Sequence, residues 1–151
     1  MIETTEKKID VAVLLESVLV PEAGGIDIFL GTTRNHSKGK KVVRWEYEAY
    51  IPMAVSIMRQ IENEIRERWD IHKISIIHRI GVVPLEEASV GIAVSASHRN
   101  EAFEACRYAI DQVKKSAPIW KKEIFENGEA WVDPRGSFES SHTERIPGVR
   151  K

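Results

Sequence analysis

Two apolar spacings alternate along the sequence, and this alternation restricts the possible folds more than any other feature. In Val42–Tyr50 and Ser89–Ser97 every second residue is apolar, which is the period of a β-strand with one buried face. From Pro52 to about Trp69 and from about Arg99 to Lys115, apolar residues recur three and four positions apart, which is the period of an amphipathic helix. The chain therefore interleaves strands and helices around a shared core.

The remaining elements are shorter and are separated by turns. Asp10 is expected to cap a short helix that extends to Val18. Its apolar face is predicted to consist of Val11, Leu14, Leu15 and Val18. Further strands are predicted at 26–33, 71–80, 119–125 and 130–132, the last two joined at Asn127-Gly128. Several strands follow one another through short turns, so the sequence predicts an α+β fold with a mainly antiparallel sheet and three helices packed on it.

The length and composition fit one domain. The chain has 151 residues, of which 42% are apolar, enough to bury a core without disulfides or metal. We expect a flexible N-terminus over residues 1–8, a single domain over 9–133, and a polar C-terminal tail over 134–151 that orders on binding. The single cysteine, Cys106, excludes an internal disulfide framework and falls on an apolar helix face, which predicts core packing.

No segment of the sequence is apolar for long enough to span a membrane, and the charged N-terminus lacks the apolar core of a signal peptide. A cytoplasmic location is therefore expected. The net charge of −1 gives no overall field that would attract nucleic acid or a membrane. Any anion-binding site must therefore be local.

Positive residues cluster at the ends of three predicted elements. Arg34 follows a strand, His98 and Arg99 stand where a strand passes into a helix, and Lys114 and Lys121 flank Pro118. A helix start offers unpaired N–H groups and the positive end of the dipole, so the second cluster suits a phosphate, although Ser97 or Asn100 could simply cap the helix there. Lysines in a last helical turn are favourable without any function, but one held against a pocket wall beside Pro118 can lose its proton and act as a base or nucleophile.

Metal and cofactor chemistry have no support in the sequence. The five histidines lack metal-ligand spacing, and neither a Gly-rich phosphate loop nor a nucleophile elbow is present, so we expect no metal and no cofactor. His78-Arg79 interrupts an apolar strand and is interpreted as structural or at the rim of a site. The four tryptophans are interpreted as core or interface residues rather than as base-stacking platforms.

Taken in order, these stretches resemble the large-subunit family of molybdopterin synthase. The resemblance covers about residues 9–135, and five blocks in the right order make it far more specific than any one block alone. The matching blocks are Phe29 to His36, Glu48-Ala49-Tyr50, Ile77 to Gly81, Ser97 to Ala105 and Lys114 to Lys121, followed by Trp131-Val132.

The resemblance implies an α/β-hammerhead-like fold and a sulfur-transfer reaction. A small ubiquitin-like partner with a C-terminal Gly-Gly thiocarboxylate would supply two sulfurs in turn. The acceptor would be cyclic pyranopterin monophosphate, whose cyclic phosphate opens as the dithiolene of molybdopterin forms. Lys114 matches the family's catalytic lysine and Lys121 its second pocket lysine. Arg34, His98, Arg99 and Lys121 match residues that bind the substrate, as does Arg135 in the more variable tail.

The spacing of these residues along the third helix predicts how the site is assembled. About fifteen residues at roughly 1.5 Å each separate Arg99 from Lys114 by more than 20 Å, too far for one small pocket. We therefore expect a homodimer, within a heterotetramer that includes the partner, in which one subunit supplies Lys114 and Lys121 and the other supplies His98 and Arg99.

Three other functions stay open from the residues alone. The basic groove can belong to a non-catalytic docking module for the tail of a ubiquitin-like protein. It can belong to a nucleic-acid binder, which the net charge and the lack of a continuous basic stripe disfavour. It can also belong to a Schiff-base enzyme that uses Lys114. One departure from the family concerns loop 83–87, which lacks the glycine expected near its acidic residues.

Overall fold

The computed structural model describes residues 1–132, which form three helices and nine strands. The helices are α1 (Val11–Glu16), α2 (Ile51–Arg68) and α3 (Arg99–Ser116). The strands are β1 (Ile2–Thr5), β2 (Gly25–Thr32), β3 (His36–Ser37), β4 (Lys40–Ala49), β5 (Ile71–Arg79), β6 (Gly81–Pro84), β7 (Ala88–Ala96), β8 (Ile119–Phe125) and β9 (Gly128–Val132).

The strands form two sheets that are almost wholly antiparallel. The first sheet has the order β1-β5-β7-β2, and only its β1–β5 pair is parallel. The second has the order β3-β4-β8-β9, with β6 also paired to β4. This arrangement confirms the predicted α+β fold with three helices and mainly antiparallel pairing.

β7 lies inside the first sheet and is covered on both faces. Every one of its residues is buried. Val90, Ile92, Val94 and Ala96 belong to the main core cluster together with residues of α2 and α3, whereas Ala93 packs in a smaller cluster with Leu14 of α1. The alternation in the sequence identified the face toward α2 and α3, but the opposite face is not exposed to solvent because α1 covers it.

The two long helices begin and end where their sequences predict. Pro52 lies in the first turn of α2, where its missing N–H costs no helical hydrogen bond. Apolar residues at helical spacing form the buried face of α3; they are Ala102, Ala105, Cys106, Ala109 and Val113. Cys106 is therefore a core residue, as predicted, and burial, with Asp27 nearby, raises the pKa of its thiol to about 12.

The chain passes from the first sheet to the second within a single step. β5 ends at Arg79 and β6 begins at Gly81, whose φ of +90° is one that residues with a side chain rarely adopt. The turn brings the end of β5 close to β4, because Gly81, the first residue of β6, pairs with Tyr47 of β4. The residues at the end of β5 thus lie at the junction of the two sheets.

Several local predictions were wrong. Residues 1–8 were expected to be flexible, but Ile2–Thr5 form β1 and pair with β5, where Ile2 fills a core position. Strands β3 and β6 lie in segments predicted as loops, because pairing with β4 outweighs their weak local patterns.

Two finer details also differ from prediction. The two-residue hairpin turn is Glu126-Asn127 rather than Asn127-Gly128, since Phe125 pairs directly with Gly128. Asp10 caps α1 through its side chain as predicted, but the helix ends at Glu16 rather than at Val18. Of the predicted apolar face, Leu14 and Val18 are buried, whereas Val11 and Leu15 are exposed. Within residues 1–132 no helix is both long and apolar enough to cross a membrane. The predicted tail over 134–151 lies outside the described residues.

Candidate active site

The predicted site residues fall at the two ends of one continuous helix. α3 runs unbroken from Arg99 to Ser116, with Arg99 in its first turn and Lys114 in its last. At about 1.5 Å per residue, the two positions are separated by about 22 Å along the helix axis. The structure thus keeps the separation that the sequence predicted, and each end forms its own site.

The C-terminal end of α3 closes a small pocket at the junction of the two sheets. Its polar walls come from Lys114 of α3, Lys121 of β8, Tyr47 of β4 and His78 of β5, and Val113 and Ile119 complete it. The cavity has a volume of about 10 Å³, which is room for about one water molecule. Four different elements therefore place polar groups around one enclosed point.

Burial and neighbouring charges act together on Lys114. Burial lowers the pKa of its ammonium group, and the positive charges of Lys121 and Arg34 lower that pKa further. A lowered pKa increases the fraction of neutral amine near neutral pH, and only the neutral amine has a lone pair that can take a proton or form a bond. The effect of Arg34 also shows that this residue belongs with the two lysines rather than with the other end of α3.

Lys121 is held in place by two contacts. Its Nζ lies 3.3 Å from Oε2 of Glu123 and 3.9 Å from the centre of the Trp45 ring. Glu123 is only 2% exposed, so its carboxylate supplies a buried negative charge next to the lysine. These contacts orient the Lys121 side chain at the wall of the pocket.

His78 was interpreted as structural or at a rim, but the structure places it inside the pocket. Its ring is 4% exposed, and Nδ1 donates a hydrogen bond of 2.9 Å to the carbonyl oxygen of Arg79. Burial lowers the pKa of His78 to about 4; the carbonyl of Arg79 opposes this shift, and the charge of Lys114 adds to it. The histidine is thus neutral at neutral pH. In the sequence, the signal for a pocket position was a histidine within an otherwise apolar stretch of the strand.

Tyr47 is a second pocket residue that the sequence did not single out. Its ring meets the His78 ring edge-on, with centroids 5.0 Å apart, and Trp45 in the same way at 6.4 Å. Burial raises the pKa of the phenol; the nearby Ser89 hydroxyl opposes that shift and the Glu123 carboxylate adds to it. The hydroxyl therefore keeps its proton. Position in an alternating strand predicted burial of Tyr47 but gave no sign of the pocket.

The backbone beside Arg34 is tied to loop 83–87. Thr33 N–H donates to the carbonyl of Glu87 at 3.1 Å, and Glu86 N–H donates to the carbonyl of Thr33 at 3.0 Å. Glu86 itself has a φ of +71°, a conformation that favours glycine. The loop thus adopts the backbone that a glycine would supply, although the sequence lacks one there. Arg79 adds a salt bridge of 2.6 Å to the Glu87 side chain.

The N-terminal end of α3 has a different character. His98 is the N-cap residue, but its side chain accepts no hydrogen bond from the helix, and Ser97 bonds His72 at 3.0 Å rather than capping. His98 and Arg99 are exposed and line an open cleft of about 460 Å³ with Gly24, Ser97, Asn100 and Phe103. The sequence also allowed Ser97 to cap this helix through its side chain, and that interpretation is wrong.

The structure thus brings three of the predicted site residues together and places two others at the opposite end of α3. Lys114, Lys121 and Arg34 share one electrostatic environment, and His98 and Arg99 form the cleft at the far end. Arg135 lies outside the described residues. Within residues 1–132, no group of three or more potential ligand side chains is arranged to hold a metal ion.

Comparisons with known proteins give one consistent result. The family model described as "MoaE protein" matches residues 4–116. The human molybdopterin synthase catalytic subunit is 45% identical over 143 residues, which cover 95% of this chain and 76% of that protein. The molybdopterin synthase catalytic subunit of Bacillus subtilis (strain 168) is 49% identical over 130 residues, which cover 86% and 83%. The crystal structure of molybdopterin synthase from Staphylococcus aureus is similar with a TM-score of 0.83 and 41% identity, covering 87% of this chain and 96% of that one.

Proposed function

The chain belongs to the MoaE family, and we propose that it is the catalytic subunit of a molybdopterin synthase and acts in molybdenum cofactor biosynthesis. The finer part of the proposal is a sulfurtransferase reaction. Two sulfurs pass in turn to cyclic pyranopterin monophosphate, one from the C-terminal thiocarboxylate of each of two small ubiquitin-like partner molecules, and each thiocarboxylate becomes a carboxylate. The cyclic phosphate opens and the dithiolene of molybdopterin forms. A cytoplasmic location stays a prediction from the sequence.

The single observation that carries the proposal is the state of Lys114. It lies in an enclosed pocket where burial, Lys121 and Arg34 all favour its neutral amine. Such an amine can remove a proton as sulfur attacks, or accept the acyl group of the partner's tail. Lys115, the next residue, is exposed. The sequence pattern of the two lysines is the same, and only the fold distinguishes them.

The charges around Lys114 suit an anionic substrate and an anionic tail. Arg34 and Lys121 supply cations near the pocket, and cations with several N–H donors are the usual partners of phosphate and carboxylate groups. His98 and Arg99 supply further N–H donors at a helix N-terminus, where the dipole also favours an anion. We propose that these four residues bind the substrate and the tail, with Arg135 as a further member.

A composite site accounts for the separation of the two clusters. We propose a homodimer in which Lys114, Lys121 and Arg34 of one subunit face His98 and Arg99 of the other. The partner would bind this dimer as a second kind of subunit, giving a heterotetramer, and its Gly-Gly tail would enter beside Lys114. The human and B. subtilis relatives are each the catalytic subunit of a synthase, which supports an assembly with a further chain.

The test is single-turnover conversion of cyclic pyranopterin monophosphate by the purified chain and a thiocarboxylated partner, with Lys114→Ala and Lys115→Ala measured in parallel. We expect Lys114→Ala to lower the rate about a thousandfold or more. Lys115→Ala should stay within about twofold of the wild type, as surface changes generally do. Partner binding, measured by calorimetry, should be retained in both variants.

Two results would count against the proposal. A wild-type chain that binds the partner tightly but forms no dithiolene would be a docking module instead of an enzyme. Equal losses in Lys114→Ala and Lys115→Ala would leave the synthase but remove the special role of the buried lysine.

A further inference from the structure

The pocket contains a histidine that the proposed reaction does not yet use. His78 is nearly fully buried in β5, shares the cavity wall with Lys114, and contacts Tyr47 through its ring. Buried polar side chains of this kind are retained when they satisfy another group, because an unsatisfied polar atom is costly. In this pocket, the group that His78 can serve in the proposed reaction is the Lys114 amine.

The hydrogen bond to Arg79 decides which ring nitrogen is available. A carbonyl oxygen can only accept, so the 2.9 Å contact with the Arg79 carbonyl requires the proton on Nδ1. The other nitrogen, Nε2, then has a free lone pair and can only accept a hydrogen bond. Among the described residues the ring makes no second hydrogen bond. The backbone thus presents a neutral acceptor to the pocket in one fixed orientation.

We propose that His78 is a positioning residue for Lys114: Nε2 accepts a hydrogen bond from the lysine amine, directly or through one water in the cavity, and so fixes the direction of the amine's lone pair. The cavity of about 10 Å³ between these side chains has the size that one bridging water requires. This inference rests on the proposed catalytic role of Lys114.

The surroundings explain why a neutral acceptor suits this place. Lys114 already experiences the positive charges of Lys121 and Arg34, and a carboxylate in contact with it would pair with the ammonium group and favour protonation. A neutral imidazole takes one N–H of the amine without adding a negative charge. The amine is then oriented but remains free to act on the substrate.

The test combines three substitutions with two readouts. His78→Phe keeps the ring volume and the edge contact with Tyr47 but removes both nitrogens. His78→Gln places an amide oxygen near the position of Nε2, whereas His78→Asn reaches only the position of Nδ1. We expect His78→Phe to lower kcat about tenfold to a hundredfold with KM nearly unchanged, since a hydrogen bond that orients the catalytic amine is lost. His78→Gln should recover most of the rate and His78→Asn should not.

The second readout does not depend on the proposed reaction. The acylation of Lys114 by a small activated ester is followed by peptide mass spectrometry, with exposed Lys115 as the internal reference. His78→Phe should slow acylation of Lys114 relative to Lys115, and His78→Gln should restore it. A wild type that makes no product but shows this pattern would contradict the synthase and keep the role of His78.

Several outcomes would overturn the inference. His78→Phe with wild-type kcat and wild-type Lys114 acylation would show that the histidine only fills space. Equal rates for His78→Gln and His78→Asn, both folded, would do the same, and this pair decides the matter if His78→Phe does not fold. A rise in KM with kcat unchanged would assign His78 to substrate binding rather than to positioning of the lysine.

Discussion

The two ends of α3 carry basic residues in opposite environments. At the N-terminal end His98 and Arg99 are exposed beside an open cleft, and the helix dipole there favours an anion. At the C-terminal end the dipole favours a cation, yet burial and nearby charges lower the pKa of Lys114. Burial and the two neighbouring charges thus act against the dipole at one end, while at the other the dipole and the side chains act in the same direction. One helix thus has one end suited to an anion and one end suited to proton or acyl transfer.

The comparison shows how far residue type alone can mislead. Lys114 and Lys115 are adjacent in the last turn of α3, where either would be electrostatically favourable. Only Lys114 turns toward the pocket, whereas Lys115 faces solvent. The chemical difference between them comes from the side of the helix on which each lies.

The largest expected effect tests whether the two ends meet across a dimer. Lys114→Ala and Arg99→Ala chains are each expected to be nearly inactive alone. Heterodimers purified through two different tags should have one intact site of two and recover about half of the wild-type rate. The matched control carries Lys114→Ala and Arg99→Ala in one chain and pairs that chain with a wild-type chain; it should stay nearly inactive, because each composite site then lacks one of the two residues. Failure of the first pair to recover activity would place the complete site within one chain or remove Arg99 from it.

An intermediate effect concerns stability in acid. The pKa of His78 is about 4 in the folded protein against an ordinary value of 6.5, so between these values the unfolded chain binds a proton that the folded chain does not. The free energy of unfolding should therefore fall as the pH falls from 6.5 to 4, by about 3 kcal/mol from this residue. Above pH 6.5 the histidine contributes no slope.

Urea unfolding between pH 7.5 and pH 4.5 measures this contribution. His78→Phe should lose less stability over that range than the wild type does. His98→Phe, the matching change at the exposed end of α3, should keep the wild-type slope. Equal slopes for the wild type and His78→Phe would show that the buried histidine is not the group that titrates.

The smallest expected effect separates the two ends by the pH dependence of the rate. In Lys121→Met a positive charge near Lys114 is removed, so the pKa of Lys114 should rise and more of the amine should be protonated at a given pH. The acid limb of kcat should then move to higher pH, with a several-fold loss at pH 7 that a higher pH restores. Arg99→Met should weaken substrate binding and leave this limb in place. An unmoved limb in Lys121→Met would contradict the electrostatic coupling.

Local pattern predicted the parts of the fold that local physics determines. Pro52 and the apolar spacing of α2 identified that helix almost to the residue, and the alternation of Val42–Tyr50 identified β4. The pattern failed where distant partners decide, as in β1, which is a strand only because β5 lies beside it. Glu86 shows the same limit, since its positive φ goes with the hydrogen bonds that Glu86 and Glu87 make with Thr33 and not with its residue type.

The site was predictable in its cations but less so in its neutral members, since the sequence indicated His78 only as structural or at the rim of a site and did not indicate Tyr47. Lys114, Lys121 and Arg34 were identified from their positions at element ends and from the family resemblance. His78 and Tyr47 reach the pocket through the pairing of β4 with β6 and the short step from β5, which no local spacing encodes. Neutral polar residues in apolar strands leave a weak signal, because the same pattern also describes a satisfied core residue.

The position of β7 has a consequence for the dynamics of the molecule. The strand pairs with β5 on one side and with β2 on the other and is buried on both faces, so its amides should exchange with deuterium only when the whole domain unfolds. Amides of the short strands β3 and β6 at the border of the second sheet should exchange by local opening. Since only Ser97 and His98 separate β7 from α3, the N-terminal end of the helix is attached to the part of the chain expected to exchange most slowly, and it should keep its place while the second sheet fluctuates.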